Sequence, residues 1–210
     1  MVMPKLVDHD EQRRAIAEAA VAVISAHGLD ATRLRDVAEE ADVTTGAVTH
    51  YFDGKDAVLE AALDEIVARI VEKQESLRDR QPARSADELA AHAAEFLPID
   101  AQARAEWRVW CAFWGRSIVN ETLRRKHEAH YDRFGTVLAE MVRALAKAGV
   151  IAPQTDARMT ADAIIAAVDG VGIRVTQEPA LWPPARQKAL LNTLLLPLFT
   201  GGAAAKPRRR

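Results

Sequence analysis

The chain has 210 residues, 49% of them hydrophobic, and 28 lysines and arginines against 30 aspartates and glutamates leave a net charge of −2. That length supports one larger or two small cores, and a near-balanced charge points by itself to no polyanionic partner. Cys111 is the single cysteine and cannot form an intramolecular disulfide, no apolar run approaches the ~20 residues of a membrane span, and the acids after Leu6 do not suit a signal peptide, so a soluble, cytoplasmic protein with no membrane partner is expected.

Apolar residues recur at helical spacing along the chain, with glycine and proline between the runs, so the expected fold class is all-α. The first helix is expected over about residues 10–27, with Ile16, Ala20, Val23 and Ile24 inward and Gly28 as its stop. The second is expected to open at Thr32, whose hydroxyl would cap the first turn, and to bury Leu34, Val37, Ala38 and Ala41. Arg33, Arg35, Asp36, Glu39 and Glu40 fall on its wet side. Asp42 sits where the turn needs a left-handed or similarly strained residue, Val43 plugs the angle between helices, and Thr44 caps a third helix over about residues 45–52. A helix that short is not stable alone, so Val48 and Phe52 must anchor it. Its opposite face carries Thr45, Gly46, Ala47, Thr49 and His50, with Tyr51 at the edge. Such small and hydroxylated side chains let a helix approach base edges closely, where threonine donates or accepts and an alanine methyl meets a thymine methyl. Lys55 is placed for a phosphate contact, which sets register and carries no sequence information. This layout is that of a helix-turn-helix, whose second helix enters the DNA major groove.

A long fourth helix is expected over about residues 55–80, carrying Val58, Leu59, Ala62, Ile66, Ile70 and Leu77, before a proline-containing link at 81–85. Helices are then expected over 86–97, 101–118, 121–148, 156–177 and 183–199, broken at Pro98, Asn120, Gly149 with Pro153, and Pro179 with Pro183 and Pro184. The tail GGAAAKPRRR has the composition of a disordered end; its basic residues suit a solvated tail better than a DNA contact.

Trp107, Trp110 and Trp114 share one helical stripe, with Phe113 beside them. Core packing and an aromatic-walled ligand pocket are equally open readings. A cationic ligand would be attracted to the tryptophan faces, with Glu95, Glu106 or Asp169 as counter-charge. His127 and His130 stand three apart without a third ligand at fixed spacing, which favours a polar helix face over a metal site. Cys111 is better read as a small hydrophobe than as a redox sensor. No nucleophile–base order, phosphate loop or carboxylate pair stands out, so neither an enzyme nor a cofactor is expected. The last two helices, with Met159 to Val171 and with Leu190, Leu191, Leu194, Leu195, Leu198 and Phe199, carry more apolar surface than one stripe needs. They are either central to the chain's own core or paired with the same helices of a second copy.

The run Thr32-x-x-Arg35-Asp36-Val37-Ala38, then Val43-Thr44-Thr45-Gly46, then His50-Tyr51-Phe52-x-x-Lys55-x-x-x-Leu59 resembles the TetR family of transcriptional repressors over about residues 10–62. It departs from that family at Asp42, where glycine is usual, and at Thr49, where tyrosine is usual. The resemblance implies three helices in a helix-turn-helix domain (residues 1–54), six in a ligand-binding and dimerisation bundle (55–200), and a disordered tail (201–210). It further implies a homodimeric repressor on a palindromic double-stranded DNA operator, released by a small-molecule effector. The DNA-facing set is then Arg35, Thr45, Gly46, Ala47, Thr49, His50, Tyr51 and Lys55, to which Arg33 and Thr44 are added. Trp110-Cys111-Ala112-Phe113-Trp114, Ala167-Val168-Asp169-Gly170 and Arg174 resemble the choline-responsive BetI branch, which carries a bulky aromatic where this chain has Gly172. The candidate ligand set is Trp107, Trp110, Phe113, Trp114, Tyr131 and Asp169. One feature favours a different reading, a carrier of the same fold that does not read DNA. Residues 1–60 hold six lysines and arginines against twelve aspartates and glutamates, a balance of −6 where a DNA-binding domain is expected to be basic. Against the carrier stands the intact Thr44-Thr45-Gly46 and His50-Tyr51-Phe52-x-x-Lys55 pattern.

Overall fold

A computed structural model describes residues 9–79, 85–152 and 154–200. Among these residues the chain is helical, without strands: α1 (His9–His27), α2 (Leu34–Glu40), α3 (Thr45–Tyr51), α4 (Gly54–Asp79), α5 (Ala86–Ala94), α6 (Ala101–Ser117), α7 (Glu121–Lys147), α8 (Ala157–Gln177), a 3₁₀ turn (Pro179–Leu181) and α9 (Pro184–Thr200). The expectations for the proline link at 81–84, the break at Pro153 and the tail at 201–210 lie outside the described residues.

Local chemistry explains most of the boundaries. Gly28 ends α1 at φ +77° while its N–H donates to the Ile24 carbonyl at 2.8 Å, the left-handed stop that glycine adopts without steric cost. Ser85 caps α5 by accepting from the Glu88 N–H at 3.1 Å, and Asp156 caps α8 by accepting from the Arg158 and Met159 N–H groups. Two boundaries differ from the sequence reading. Thr32 is buried and its hydroxyl donates to the Gly28 carbonyl at 2.8 Å, so Arg33 takes the N-cap position and the Asp36 carboxylate accepts the Arg33 N–H at 3.1 Å. The glycine stop lies one turn before Thr32, and its carbonyl takes the hydroxyl that capping would have used. α5 ends at Ala94 rather than near residue 97, because the N–H groups of Glu95, Phe96 and Leu97 turn to the carbonyls three residues back, those of His92, Ala93 and Ala94.

The chain divides into two compact units, one of residues up to Arg69 with Ala105–Arg125, the other of Ile70–Arg104 with residues from Lys126 onward. In the first unit α1 packs on α2 and α2 on α3. Ile16, Ala20 and Ile24 of α1, Val37 and Ala38 of α2, Val48 and Phe52 at α3, and Leu59 and Leu63 of α4 are all buried. In the second unit α5, α8 and α9 pack together, and Leu89, Leu97, Val142, Leu145, Ile164, Val171, Val175, Leu191, Leu195 and Phe199 form one cluster. Trp182 closes it: its indole N–H donates to Glu178 at 2.9 Å, and the guanidinium groups of Arg174 and Arg186 lie 4.9 and 4.2 Å from its ring.

Replacing Phe52, which is 3% exposed, tests whether α3 is held by packing. Phe52→Ala is expected to lower unfolding free energy by about 3–5 kcal/mol, the usual cost of emptying an aromatic core position. A urea midpoint that does not move would show that α3 does not depend on this anchor.

Candidate functional site

Asp42 is the described non-glycine residue with positive φ, at +52°, in the turn between α2 and α3. Aspartate enters this left-handed region more readily than most side chains, and the Val43 N–H closes the turn onto the Ala38 carbonyl at 2.9 Å. Thr44 then accepts the Ala47 N–H on its hydroxyl at 3.1 Å, capping α3. Val48 is fully buried, so the rest of this seven-residue helix is turned outward. Thr44, Thr45, Gly46, Thr49 and His50 are exposed and Ala47 and Tyr51 half-buried, a continuous face without an acidic residue. The Thr49 hydroxyl donates to the Gly46 carbonyl at 3.1 Å, which holds its side chain along the helix.

The flanking members of the set are placed less uniformly. Arg33 and Arg35 are exposed on α2, and Arg35 lies 3.4 Å from Asp36, a surface pair of small energetic weight. The Lys55 ammonium donates to the Asp30 carbonyl at 2.8 Å, tying the start of α4 to the α1–α2 loop. The Tyr51 hydroxyl meets Nδ1 of His9 at 2.8 Å, and the His50 ring meets Tyr51 edge-on at 5.2 Å. His9 was not among the expected residues, and 42 positions of separation left no sequence signal for it.

The acids of the first sixty residues are in part accounted for by internal contacts. Asp36 caps α2, Asp56 accepts two hydrogen bonds from Arg116 of α6 at 2.7 and 2.9 Å, and Glu18 pairs with Arg14 and Arg69. Arg69 also reaches Glu65 at 3.3 Å and Glu106 at 3.0 Å, joining α1, α4 and α6. Partial burial opposes its charge, but the Glu106 hydrogen bond and the three carboxylates more than offset this, so the guanidinium is held ionised above the usual arginine range.

The expected ligand set falls into two groups. Trp107, Trp110 and Phe113 are buried in the first unit and Trp114 half-buried, with Trp114 edge-on to Trp107 and to Trp110, each at 6.1 Å. α6 is joined to its unit by the Arg116–Asp56 and Glu106–Arg69 pairs and by Arg108, which donates to the Ser25 carbonyl at 3.2 Å. Tyr131 and Asp169 belong to the second unit, where the tyrosine hydroxyl donates to the Asp169 carboxylate at 2.8 Å. They line a cleft of about 190 Å³ between α7 and α8 with Arg158, Asp162, Ile165 and Ala166. Arg158 bridges Asp132 and Asp162, each at 3.0 Å, and the His127 ring lies 4.2 Å from that of Tyr131. Burial pushes the Asp169 carboxyl up to about 6 against the opposing hydrogen bond from Tyr131, and burial lowers His127 against the charge of Glu128. Among the described residues no three histidine, cysteine, aspartate or glutamate side chains gather to hold a metal ion.

The family model for bacterial regulatory proteins of the tetR family matches residues 16–62, and that for the C-terminal part of BetI-type transcriptional repressors matches residues 85–200. The BetI regulator of Paraburkholderia xenovorans is 30% identical over 175 residues, covering 82% of this chain and 85% of that protein. PksA, a regulator of Bacillus subtilis, is 26% identical over 179 residues, 84% of each. Among solved structures, a transcriptional regulator from Rhodococcus sp. Rha1 aligns with a TM-score of 0.77 at 26% identity, over 92% of this chain and 99% of that one. A regulator from Saccharomonospora viridis, in complex with choline, aligns at 0.76 and 28% identity over 89% and 96%. A capped, outward-facing short helix on a three-helix head, followed by a helical bundle, defines a helix-turn-helix transcriptional regulator of the DNA-binding repressor type, not an enzyme. The chain belongs to the TetR family, and its C-terminal region is of the BetI type.

Asp169 supplies a pH test. A carboxyl with a raised pKa in the folded state favours the neutral form there, so its contribution to stability is full below the unfolded value and is lost as pH rises through about 6. Asp169→Asn removes this loss while keeping an acceptor for Tyr131. The variant is expected to melt higher than wild type near pH 8, by about 1–2 kcal/mol after discounting for partial exposure, with no gain near pH 4. Equal melting shifts at both pH values would refute the burial penalty.

Proposed function

We propose that this protein is a homodimeric repressor that holds a near-palindromic operator through two copies of α3 and leaves it when a small molecule binds its second unit. The observation that carries the reading is the acid-free outer face of α3, Thr45 to Tyr51, on a helix fixed from behind by Val48. Thr45, Gly46, Ala47, Thr49 and His50 read base edges; Thr44, Tyr51, Lys55, Arg33 and Arg35 meet the backbone. Arg116 beside Asp56 and Arg69 beside Glu18 bring cations from outside residues 1–60 and offset two of the twelve acids that favour a DNA-blind carrier. Residues 1–54 act as the reading head and 55–200 as the ligand-binding and dimerisation part, in the cytoplasm.

Exposed apolar side chains on α8 and α9 support the dimer. Ile173, Leu194 and Leu198 are 39%, 45% and 39% exposed, a surplus that the same two helices of a second copy would cover. Two heads related by a two-fold axis meet half-sites about 34 Å apart. For the effector, we infer a small organic cation. The α7–α8 cleft offers a tyrosine face and the carboxylates of Asp162 and Asp169, the tryptophan stripe of α6 remains in the candidate ligand set, and the Saccharomonospora viridis relative holds choline. The ligand acts only through unequal affinity for the DNA-bound and released states.

Selection of fragmented genomic DNA with the purified protein, followed by sequencing, tests the reading. Enrichment of a few fragments sharing an inverted repeat is expected. Thr45→Ala or His50→Ala should weaken binding to that repeat by about 10- to 100-fold, the loss of one good base contact, with the dimer intact by sedimentation. Retained binding in both variants would sink the assignment of α3, and no enrichment from a folded dimer at low salt would favour the carrier.

A further inference from the structure

Tyr51 lies at the edge of the reading helix, yet its hydroxyl is engaged by a residue of another helix. Nδ1 of His9 stands 2.8 Å from it, the two rings are 5.9 Å apart, and the His50 ring meets Tyr51 edge-on at 5.2 Å. His9 is the first residue of α1 and is exposed, as is His50. A tyrosine of the DNA-facing set is thus bracketed by two imidazoles reachable by solvent. The charged neighbours are few. Asp10 and Arg13 follow His9 on α1, with Arg13 placed 5.5 Å over the Phe52 ring, and Asp53 follows α3.

Resting on the DNA-binding reading above, we propose that His9 is a further DNA-positioning residue, acting through Tyr51 and coupling operator affinity to proton uptake. With the imidazole neutral and its proton on Nε2, Nδ1 accepts the phenol O–H, and Tyr51 offers no hydrogen to a phosphate. When the imidazole gains a proton at Nδ1, the direction of the bond reverses. The imidazolium N–H donates to the phenol oxygen, the phenol hydrogen is released toward a phosphate oxygen, and a positive charge joins a head with few basic side chains. One proton is taken from solvent and no covalent bond changes. The effect is large in relative terms here because residues 1–60 carry only six lysines and arginines.

The test is fluorescence anisotropy with the whole dimer and a labelled duplex bearing the selected inverted repeat, titrated at fixed ionic strength between about pH 8 and 5.5. Wild type is expected to bind about three- to tenfold more tightly at the acid end. The added imidazolium charge should steepen the slope of log affinity against log salt, by at most about 0.9 for each head, the value for one phosphate fully neutralised. His9→Gln keeps a hydrogen-bonding partner for Tyr51 without the charge. It should retain the affinity seen near pH 8 and lose most of the pH and salt response, whereas His50→Gln, weaker throughout, should keep that response. A flat wild-type profile, or a response undiminished in His9→Gln, overturns the proposal. Wild type that binds no duplex at any pH overturns the DNA-binding reading itself.

Discussion

The outward face of the first unit depends on keeping a seven-residue helix in place. α3 is below the length at which backbone hydrogen bonds sustain a helix in water, so its geometry comes from Val48 and Phe52 buried beneath it and from Thr44 satisfying a free N–H at its start. Because the anchors are an i, i+4 pair, they commit one face to the core and release the other to solvent. The outer face can therefore carry small, polar residues without a stability cost.

A second constraint is electrostatic. Glu65 is 8% exposed, and a carboxylate so placed needs partners; Arg14 and Arg69 supply them, and Arg69 continues to Glu18 and Glu106. The chain thus joins α1, α4 and α6 by a shared ion network, with Arg116 and Asp56 making a further α6–α4 link. Such networks are worth less in net stability than in geometry, since each member restricts where the others can sit. The tryptophan-bearing helix is in this way a structural member of the unit that carries α3.

The second unit is organised around an apolar cluster that also encloses polar groups, Gln187 at 0% exposure among them. Tyr131 and Asp169 meet across α7 and α8 beside a small cleft, and the carboxylate is held there against its preference for water. Arg158, which lies within 3.2 Å of where a side chain at Gly135 would begin, also lines that cleft and pairs with Asp132 and Asp162.

The sequence by itself determined the helices, the turn and the face of α3. Gly28, Asp42, Thr44 and Ser85 act through hydrogen bonds and φ preferences that span about four residues, and Ile16, Val37 and Val48 declare their burial by helical spacing. Thr32 was misread at this same range because two partners compete for one hydroxyl, and only the path of the preceding turn decides between them. Beyond that range sequence reasoning had no signal. His9 and Tyr51 are 42 positions apart, and Asp56 and Arg116 60. The tryptophan stripe was legible as a stripe, but whether it faced a core depended on what packed against it, and Trp107, Trp110 and Phe113 are buried. Tertiary structure alone decided these meetings, because short-range contacts follow from the geometry of one helix while long-range ones follow from how several helices exclude water together.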